Sequence, residues 1–299
     1  TGSCAAGEGL ATASAALRDG TLPSADGTRL FWRAWEVEAP KATFAVVHGL
    51  GEHSGRYQQF ATALARRGFS TFAVDLRGMG KSEGARGYVQ SWSEWVQDAA
   101  ALVALVRNQP RAGAVIPLGH SFGGVVVLSA IVRGALTAPR FVVSNPALRP
   151  KVKVPGWKLA VGRLTSSLLP RLTLSNEVDP ALVSRDPAVV EAYRADPLVH
   201  AKVSARLFTE WTAACAEVYR RAAEIRTPCL VILSQDDRLI DPEGSRRFVQ
   251  LAAGAPATLR EYAGRYHEPF NDLDADQVFD DLAAWAAQAP AGADRWATS

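Results

Sequence analysis

One short segment of the chain has the residue types and the spacing of a nucleophile. Gly119-His120-Ser121-Phe122-Gly123 matches the pattern G-x-S-x-G, and it lies between a predicted strand (residues 114–118) and a predicted helix (residues 122–133). Glycines two positions before and after the serine permit a turn so tight that the hydroxyl stands free at the edge of a sheet. We therefore predict that Ser121 attacks a carbonyl carbon.

A serine hydroxyl is a weak nucleophile at neutral pH, so it needs a histidine base that a carboxylate orients. When the serine lies on such a strand-to-helix turn, the chain order is serine, then acid, then histidine. Two histidines follow Ser121, namely His200 and His267. His267 comes after the last predicted strand, where the base is expected, whereas His200 lies in a region without strand signals. We predict that His267 is the base.

The acid is expected directly after the predicted strand at residues 229–234. Three aspartates follow that strand: Asp236, Asp237 and Asp241. Asp241 precedes Pro242, a sequence typical of a helix N-cap with proline at the first helical position, and we set it aside for that reason. The spacing alone leaves Asp236 and Asp237 as equal candidates.

Attack on a carbonyl places negative charge on its oxygen, and two backbone N–H groups are needed to stabilise it. Phe122, directly after the nucleophile, is predicted to supply one of them. The other is expected from His48-Gly49-Leu50-Gly51, the loop after the first buried strand, and we assign it to Leu50. His48 itself is interpreted as a hydrogen-bonded structural residue.

Short apolar runs that alternate with helix-like segments surround these residues. Such runs are typical of strands buried on both faces of a parallel sheet, and they occur at residues 43–48, 70–75, 114–118, 141–144 and 229–234. The alternation predicts an α/β fold with a mostly parallel, doubly wound sheet.

The domain organisation follows from where this alternation stops. Residues 147–225 lack strand-like runs and are predicted to be a helical cap inserted between two core strands, with a helix over residues 199–223. The core is then residues 21–146 and 226–299. Residues 1–20 are rich in alanine, glycine and serine and are predicted to be a flexible N-terminal segment, with a short helix around residues 11–17.

The composition excludes several classes of protein. The 299 residues are 48% hydrophobic and 21% charged, as in soluble globular enzymes. A net charge of +3 does not indicate a nucleic-acid partner. The three cysteines, Cys4, Cys215 and Cys229, are too few for a disulfide framework or a zinc site, and no metal or organic cofactor is implied. We expect a cytoplasmic or peripheral membrane protein, with a bacterial lipoprotein anchor at Cys4 as a weaker alternative.

Five segments together resemble the monoacylglycerol lipases and the lysophospholipase-like α/β-hydrolases related to them. The segments are HGLGEHSGRY (residues 48–57), DLRGMGKSEG (75–84), GHSFGG (119–124), SQDDRLIDPEGS (234–245) and YHEPFND (266–272). The resemblance implies the α/β-hydrolase fold and serine-dependent hydrolysis of lipid-like carboxylic esters, with monoacylglycerol as the leading substrate. A short-chain carboxylesterase or a lysophospholipase is the alternative, and a non-catalytic binding protein with the same fold is a remote one.

The same resemblance implies roles for individual residues. It favours Asp237 as the acid, and it places Glu52, Arg56 and Tyr57 near the alcohol end of the substrate pocket. There the three side chains would either bind a glycerol headgroup or brace the loop. Asp196-Pro197-Leu198 in the insertion also fits the family pattern.

The first part of the insertion has the composition of a lipid-binding surface. Residues 149–171 carry six basic side chains and no acidic one, interleaved with apolar residues, which is typical of a helix lying on an anionic membrane. The basic residues are Arg149, Lys151, Lys153, Lys158, Arg163 and Arg171. The alternative is a cap packed on its own core with a solvated basic face. We predict a small lipid ester as substrate and peripheral membrane contact through this segment; the oligomeric state is not indicated.

Overall fold

A twisted sheet with helices on both faces forms the core of the molecule. The computed structural model describes residues 15–151, 166–176, 178–254 and 256–288. The strands within these ranges are β1 (Ala16–Pro23), β2 (Arg29–Glu36), β3 (Ala42–Val47), β4 (Ser70–Val74), β5 (Ala114–His120), β6 (Phe141–Ser144), β7 (Thr173–Ser175), β8 (Lys202–Ser204), β9 (Cys229–Ser234) and β10 (Ala257–Tyr262). The α-helices that lie wholly within these ranges and are used below are α1 (Gln58–Arg66), α2 (Trp92–Arg107), α3 (Phe122–Val132), α4 (Pro187–Ala195), α5 (Ala205–Arg221), α6 (Pro242–Leu251) and α7 (Ala275–Ala287).

The main sheet has the strand order β1-β2-β4-β3-β5-β6-β9-β10. The pairs from β4 to β10 are parallel, whereas β2 pairs antiparallel with β1 and with β4. Strands β3, β4, β6 and β9 are buried along their whole length, because α2 and α3 pack on one face and α1 and α7 on the other. The predicted doubly wound α/β sheet is therefore confirmed, and the carboxyl ends of its parallel strands meet at one edge.

The N-terminal prediction is wrong where the structure describes that segment. Ala16–Pro23 is a strand that pairs residue by residue with Arg29–Glu36, so residues 16–20 are not a flexible segment and residues 16 and 17 are not helical. Leu22 is its buried hydrophobic side chain, so the backbone ladder stabilises this edge strand more than apolar packing does. A strand of this kind leaves little pattern in the sequence. Residues 1–14, with Cys4, lie outside the described residues.

The insertion contains strands that the sequence did not predict. Thr173–Ser175 pairs antiparallel with Lys202–Ser204, and these three-residue strands are too short to show an alternating pattern. The long helix consequently begins at Ala205 instead of residue 199, and the Ser204 hydroxyl accepts the Leu207 N–H at 3.0 Å as its N-cap. Residues 152–165, most of the basic stretch, lie outside the described residues. Among the described helices, none is long and apolar enough to cross a bilayer.

Candidate active site

Ser121 lies on a sharp turn between β5 and α3. Its backbone has φ 52° and ψ −118°, a strained conformation for a residue with a side chain. A Cβ on Gly119 would lie 2.3 Å from the carbonyl oxygen of Gly123, and a Cβ on Gly123 would lie 2.2 Å from that of Val47. Glycine is therefore required at both positions, because a side chain there would collide with the backbone on either side of the turn. The turn holds the Ser121 hydroxyl at the carboxyl edge of the sheet.

The imidazole of His267 lies between Ser121 and Asp237. Ser121 Oγ is 2.8 Å from His267 Nε2, and His267 Nδ1 is 2.6 Å from Asp237 Oδ2. With Nδ1–H donating to the carboxylate, Nε2 carries the lone pair that accepts the hydroxyl proton. The structure thus brings the predicted nucleophile, base and acid into one hydrogen-bonded line.

The choice between the two adjacent aspartates follows from the direction of their side chains. Asp237 is buried, and its Oδ1 accepts the N–H groups of Leu239 at 2.8 Å and Ile240 at 2.9 Å. Asp236 is exposed and accepts the Gly264 N–H at 2.6 Å. Asp237 is therefore the carboxylate that faces His267, while Asp236 belongs to a surface turn.

The charges around His267 favour its protonated form. Burial lowers the pKa of this imidazole, but the charge of Asp237 and its hydrogen bond raise it more, so the pKa of His267 lies above its ordinary value. The ring of His120 lies beside it, with ring centroids 4.9 Å apart and the two planes tilted by 48°. Burial and the charge of His267 lower the pKa of His120 to about 4. At neutral pH His120 is therefore neutral, and His267 is the imidazole suited to accept and return a proton.

Asn145 is a site residue that the sequence reasoning missed. It follows β6 with φ 40°, and its Nδ2 donates to the carbonyl oxygen of His267 at 2.7 Å. Its Oδ1 accepts the Ser234 N–H at 2.8 Å. Asn145 therefore ties the loop of the base to the ends of β6 and β9. The signal that could have found it is Ser144-Asn145-Pro146, a turn sequence directly after a buried strand.

Two backbone N–H groups are available beside Ser121 for a developing oxyanion. A Cβ added at Gly49 would lie 3.4 Å from Ser121 Cβ, so the loop that carries Leu50 lies close to Ser121. The N–H groups of Leu50 and Phe122 have no hydrogen-bond acceptor within the described ranges. The Phe122 ring is held by Trp95, at 5.0 Å between centroids. These are the two N–H groups that the sequence predicted for the oxyanion hole.

His48 holds the same loop by two hydrogen bonds. Its Nε2 accepts the Leu76 N–H at 3.0 Å, and its Nδ1–H donates to the Gly49 carbonyl at 2.7 Å. Burial lowers the pKa of His48, so the neutral ring can act as donor and acceptor together. His48 therefore has the structural role expected of it.

Glu52, Arg56 and Tyr57 form a buried network beneath the Leu50 loop. Glu52 Oε1 accepts the Gly49 N–H at 2.5 Å and the Tyr57 hydroxyl at 3.0 Å. Glu52 Oε2 lies 2.6 Å from Arg56 Nη1. Although burial raises the pKa of Glu52, the Arg56 charge is the largest of the effects that lower it to about 2. In this arrangement the three side chains brace the loop, which is one of the two roles considered for them.

Comparison with known proteins now identifies the family. The model of the family described as serine aminopeptidase, S33, matches residues 38–274, which is most of the chain. The chain belongs to this family of serine hydrolases. Monoacylglycerol lipase of Mycolicibacterium smegmatis is 35% identical over 87% of the chain and 93% of the relative. Human monoglyceride lipase is 32% identical over 91% of each.

A solved structure extends the likeness to the backbone of this serine hydrolase. The monoacylglycerol lipase of Paleococcus ferrophilus has a TM-score of 0.76 and 30% identity, and the match covers 91% of this chain and 98% of that one. The resemblance to monoacylglycerol lipases inferred from the motifs, and the α/β-hydrolase fold that it implied, are both confirmed.

In this hydrolase residues 196–200 contact the loop that carries Leu50. Asp196 Oδ2 lies 2.7 Å from His53 Nε2, and the His200 N–H donates to the Gly51 carbonyl at 2.8 Å. Gly51 has φ 73°, and a Cβ there would lie 2.1 Å from the His200 carbonyl oxygen. The Asp-Pro-Leu segment of the insertion thus begins a latch against the core, and His200 contacts backbone there instead of Ser121.

Two basic residues that follow β6, Arg149 and Lys151, contact the loop that follows β9. Arg149 forms an ion pair with Asp241 at 3.1 Å, and Lys151 Nζ donates to the Asp237 carbonyl at 2.5 Å. Asp241 also caps α6, as predicted from Pro242. Arg171 stacks on Tyr88 at 5.1 Å. Lys153, Lys158 and Arg163 lie outside the described residues.

Within the described residues, no group of three or more metal-ligating side chains is found.

Proposed function

We propose that this protein hydrolyses carboxylic esters of lipid-like alcohols, with monoacylglycerol as its main substrate, through an acyl-enzyme on Ser121. The observation that carries the proposal is the line Ser121–His267–Asp237, with contacts of 2.8 and 2.6 Å. It occurs in a chain 35% identical to a protein named monoacylglycerol lipase. In the same proposal residues 147–225 are the cap that shelters the acyl chain above the nucleophile.

In the first half of the reaction Ser121 Oγ attacks the ester carbonyl carbon while His267 Nε2 takes the hydroxyl proton. The carbonyl oxygen becomes an oxyanion, which the N–H groups of Leu50 and Phe122 stabilise. Asp237 stabilises the imidazolium and holds its tautomer. The bond from the acyl carbon to the alcohol oxygen then breaks, His267 gives its proton to that oxygen, and glycerol leaves.

In the second half a water molecule replaces the alcohol. His267 takes a proton from the water as its oxygen attacks the acyl carbon, and the same oxyanion hole stabilises the intermediate. The bond between the acyl carbon and Ser121 Oγ breaks, and Oγ recovers the proton from His267. The fatty acid leaves and the starting state is restored, so no other reactant is needed.

The charges near Ser121 support ester hydrolysis better than aminopeptidase activity, the activity after which the family is named. Capture of a substrate α-amine needs an unpaired carboxylate in the pocket. The buried carboxylate of Glu52, beside the Leu50 loop, already accepts hydrogen bonds from the Gly49 N–H, the Tyr57 hydroxyl and Arg56. Because its oxygens are engaged within the protein, an ester with an uncharged headgroup fits better.

The first test is a substrate panel. We expect 1-monooleoylglycerol to be hydrolysed, and we expect kcat/KM for p-nitrophenyl esters to rise at least about tenfold from acetate to a medium or long chain, because each buried CH₂ contributes about 0.8 kcal/mol. Lysophosphatidylcholine and alanine p-nitroanilide are assayed beside them. Turnover confined to acetate and butyrate would indicate a short-chain carboxylesterase, and a preference for either of the last two would replace the proposal.

A second part of the proposal concerns the membrane. Leu168, Leu169, Leu172 and Leu174 are 70%, 60%, 49% and 71% exposed. They lie at the end of the basic segment, next to Arg171, and a cluster of exposed apolar side chains beside basic ones is typical of a surface that rests on lipid. We infer that this part of the cap contacts the membrane from which the substrate is taken.

Replacing two of these leucines tests the membrane contact. For Leu168→Asp/Leu169→Asp we expect co-sedimentation with phosphatidylcholine–phosphatidylserine vesicles to weaken by at least about tenfold, since burying one leucine side chain contributes about 1.5–3 kcal/mol. Leu17→Asp is the matched control, because Leu17 is 58% exposed on the edge strand β1. Equal loss in both variants, or wild-type protein that stays in the supernatant, would contradict this assignment.

A further inference from the structure

Three parts of the molecule meet at the guanidinium of Arg56. Its Nη1 lies 2.6 Å from Glu52 Oε2 and 2.6 Å from Glu268 Oε1, and its Nη2 lies 2.7 Å from Glu268 Oε2. The ring of Tyr193, from the cap helix α4, lies 4.6 Å from the guanidinium carbon. Arg56 therefore contacts the Leu50 loop, the loop that follows His267 and the cap at once.

Each carboxylate that Arg56 contacts belongs to a loop that carries a predicted functional group. Glu52 accepts the N–H of Gly49 at 2.5 Å, directly before the predicted oxyanion donor. Glu268 follows the catalytic base in the chain, and its N–H donates to the Val183 carbonyl at 2.8 Å. Asn271 Nδ2 donates to Glu268 Oε2 at 3.0 Å. One guanidinium thus joins the donor loop to the loop of the base.

The bridge is buried, which makes its geometry rigid. The side chains of Arg56, Glu52 and Glu268 are 8%, 6% and 7% exposed. Arg56 forms two parallel N–H···O bonds to the Glu268 carboxylate and a third bond to Glu52. Together these bonds determine the distance and the angle between the guanidinium and the two carboxylates. Burial lowers the pKa of Arg56, but the charges of Glu268 and Glu52 raise it more, so the pKa lies above its ordinary value and the cation persists at every working pH.

We propose that Arg56 is a positioning residue that holds the oxyanion loop and the His267 loop at a fixed separation. The inference rests on the proposed serine-hydrolase mechanism and not on the identity of the alcohol. The alternative role for Arg56 is direct binding of glycerol hydroxyls. A positioning residue acts on the transition state of every ester, whereas a headgroup ligand acts on monoacylglycerol alone.

The test compares two substrates that share an acyl chain, 1-monooleoylglycerol and p-nitrophenyl oleate, in wild type and Arg56→Met. We expect kcat to fall by about 10- to 100-fold on both, since a displacement of about 1 Å at a reacting group costs up to about 100-fold. We expect KM to change by less than about threefold, because uniform binding is not lost. A loss confined to monooleoylglycerol, or unchanged kcat on both substrates, would overturn the proposal.

Arg67→Met is the matched control. Arg67 also bridges two carboxylates, with contacts of 2.8 Å to Asp280 and 3.2 Å to Asp276, and its guanidinium lies 5.8 Å from the Phe279 ring. It lies beyond the other end of α1, outside the site, so we expect wild-type kcat. A similar fall in kcat for Arg67→Met would mean that general destabilisation explains the effect, and the proposal would fail.

Arg56→Met leaves two buried carboxylates without their cation, so folding is checked by thermal unfolding. If that variant does not fold, Glu268→Gln carries the test, because the amide retains the side-chain shape but loses the charge-assisted pair. We expect it to lower kcat on both substrates. If the wild-type enzyme hydrolyses p-nitrophenyl oleate but not monooleoylglycerol, the proposed substrate is rejected. The comparison of wild type and variant on p-nitrophenyl oleate still decides the role of Arg56.

Discussion

Ser121→Ala is expected to lower kcat for ester hydrolysis by about 10⁴- to 10⁶-fold, the loss typical of removing a catalytic serine. The alanine cannot form the acyl-enzyme, and water would have to attack the ester directly with help only from the oxyanion donors. Binding should persist, because the backbone N–H groups of Leu50 and Phe122 remain in place. This is the largest effect that we predict for a single substitution in the chain.

The measurement is steady-state hydrolysis of the preferred ester, supported by labelling with a fluorophosphonate probe, which attaches to an activated serine. Ser129→Ala is the control: Ser129 is a buried serine on α3, the helix that follows Ser121, and its hydroxyl accepts the Trp92 indole N–H at 2.9 Å. We expect that variant to be labelled and active. Wild-type activity or labelling in Ser121→Ala would refute the mechanism as a whole.

Asp237→Asn is expected to lower kcat by about 10⁴-fold, as loss of the acid does in serine hydrolases with this arrangement. Asp237 Oδ1 accepts two backbone N–H groups, so the asparagine oxygen would keep that side and turn its amide N–H₂ toward His267 Nδ1. The imidazole would then carry its proton on Nε2 and could not accept one from Ser121. Folding should change little, because the two side chains have nearly the same shape.

Asp236→Asn is the matched control for this prediction. The two aspartates are neighbours in the chain, but Asp236 is exposed and bonds the Gly264 N–H. We expect the control to retain kcat within about threefold, as surface substitutions usually do. The opposite result, with Asp236→Asn inactive and Asp237→Asn active, would reassign the acid and show that the loop after β9 is placed differently during turnover.

The parallel core could be predicted from the sequence almost residue by residue. The predicted strands at residues 141–144 and 229–234 are β6 and β9 with the same bounds. These strands are buried on both faces, so nearly every residue in them is apolar and the run is as long as the strand. The edge strand β1 and the short pair β7–β8 were not predicted, because backbone hydrogen bonds hold them and few of their side chains are buried.

By itself the sequence predicted the turn at Ser121, His267 as the base and the general position of the acid, and the structure brings these residues together. These are local signals: glycine is required where a Cβ would strike the neighbouring backbone, and the chain order of the three groups follows from the order of the strands. Spacing could not separate Asp236 from Asp237, and the family resemblance favoured Asp237; the tertiary structure shows that the Asp237 side chain is the one that faces His267, because adjacent residues differ in side-chain direction. It also decided that Arg56 contacts Glu268, since the two are 212 residues apart, and an ion pair between distant segments leaves no local signal in either.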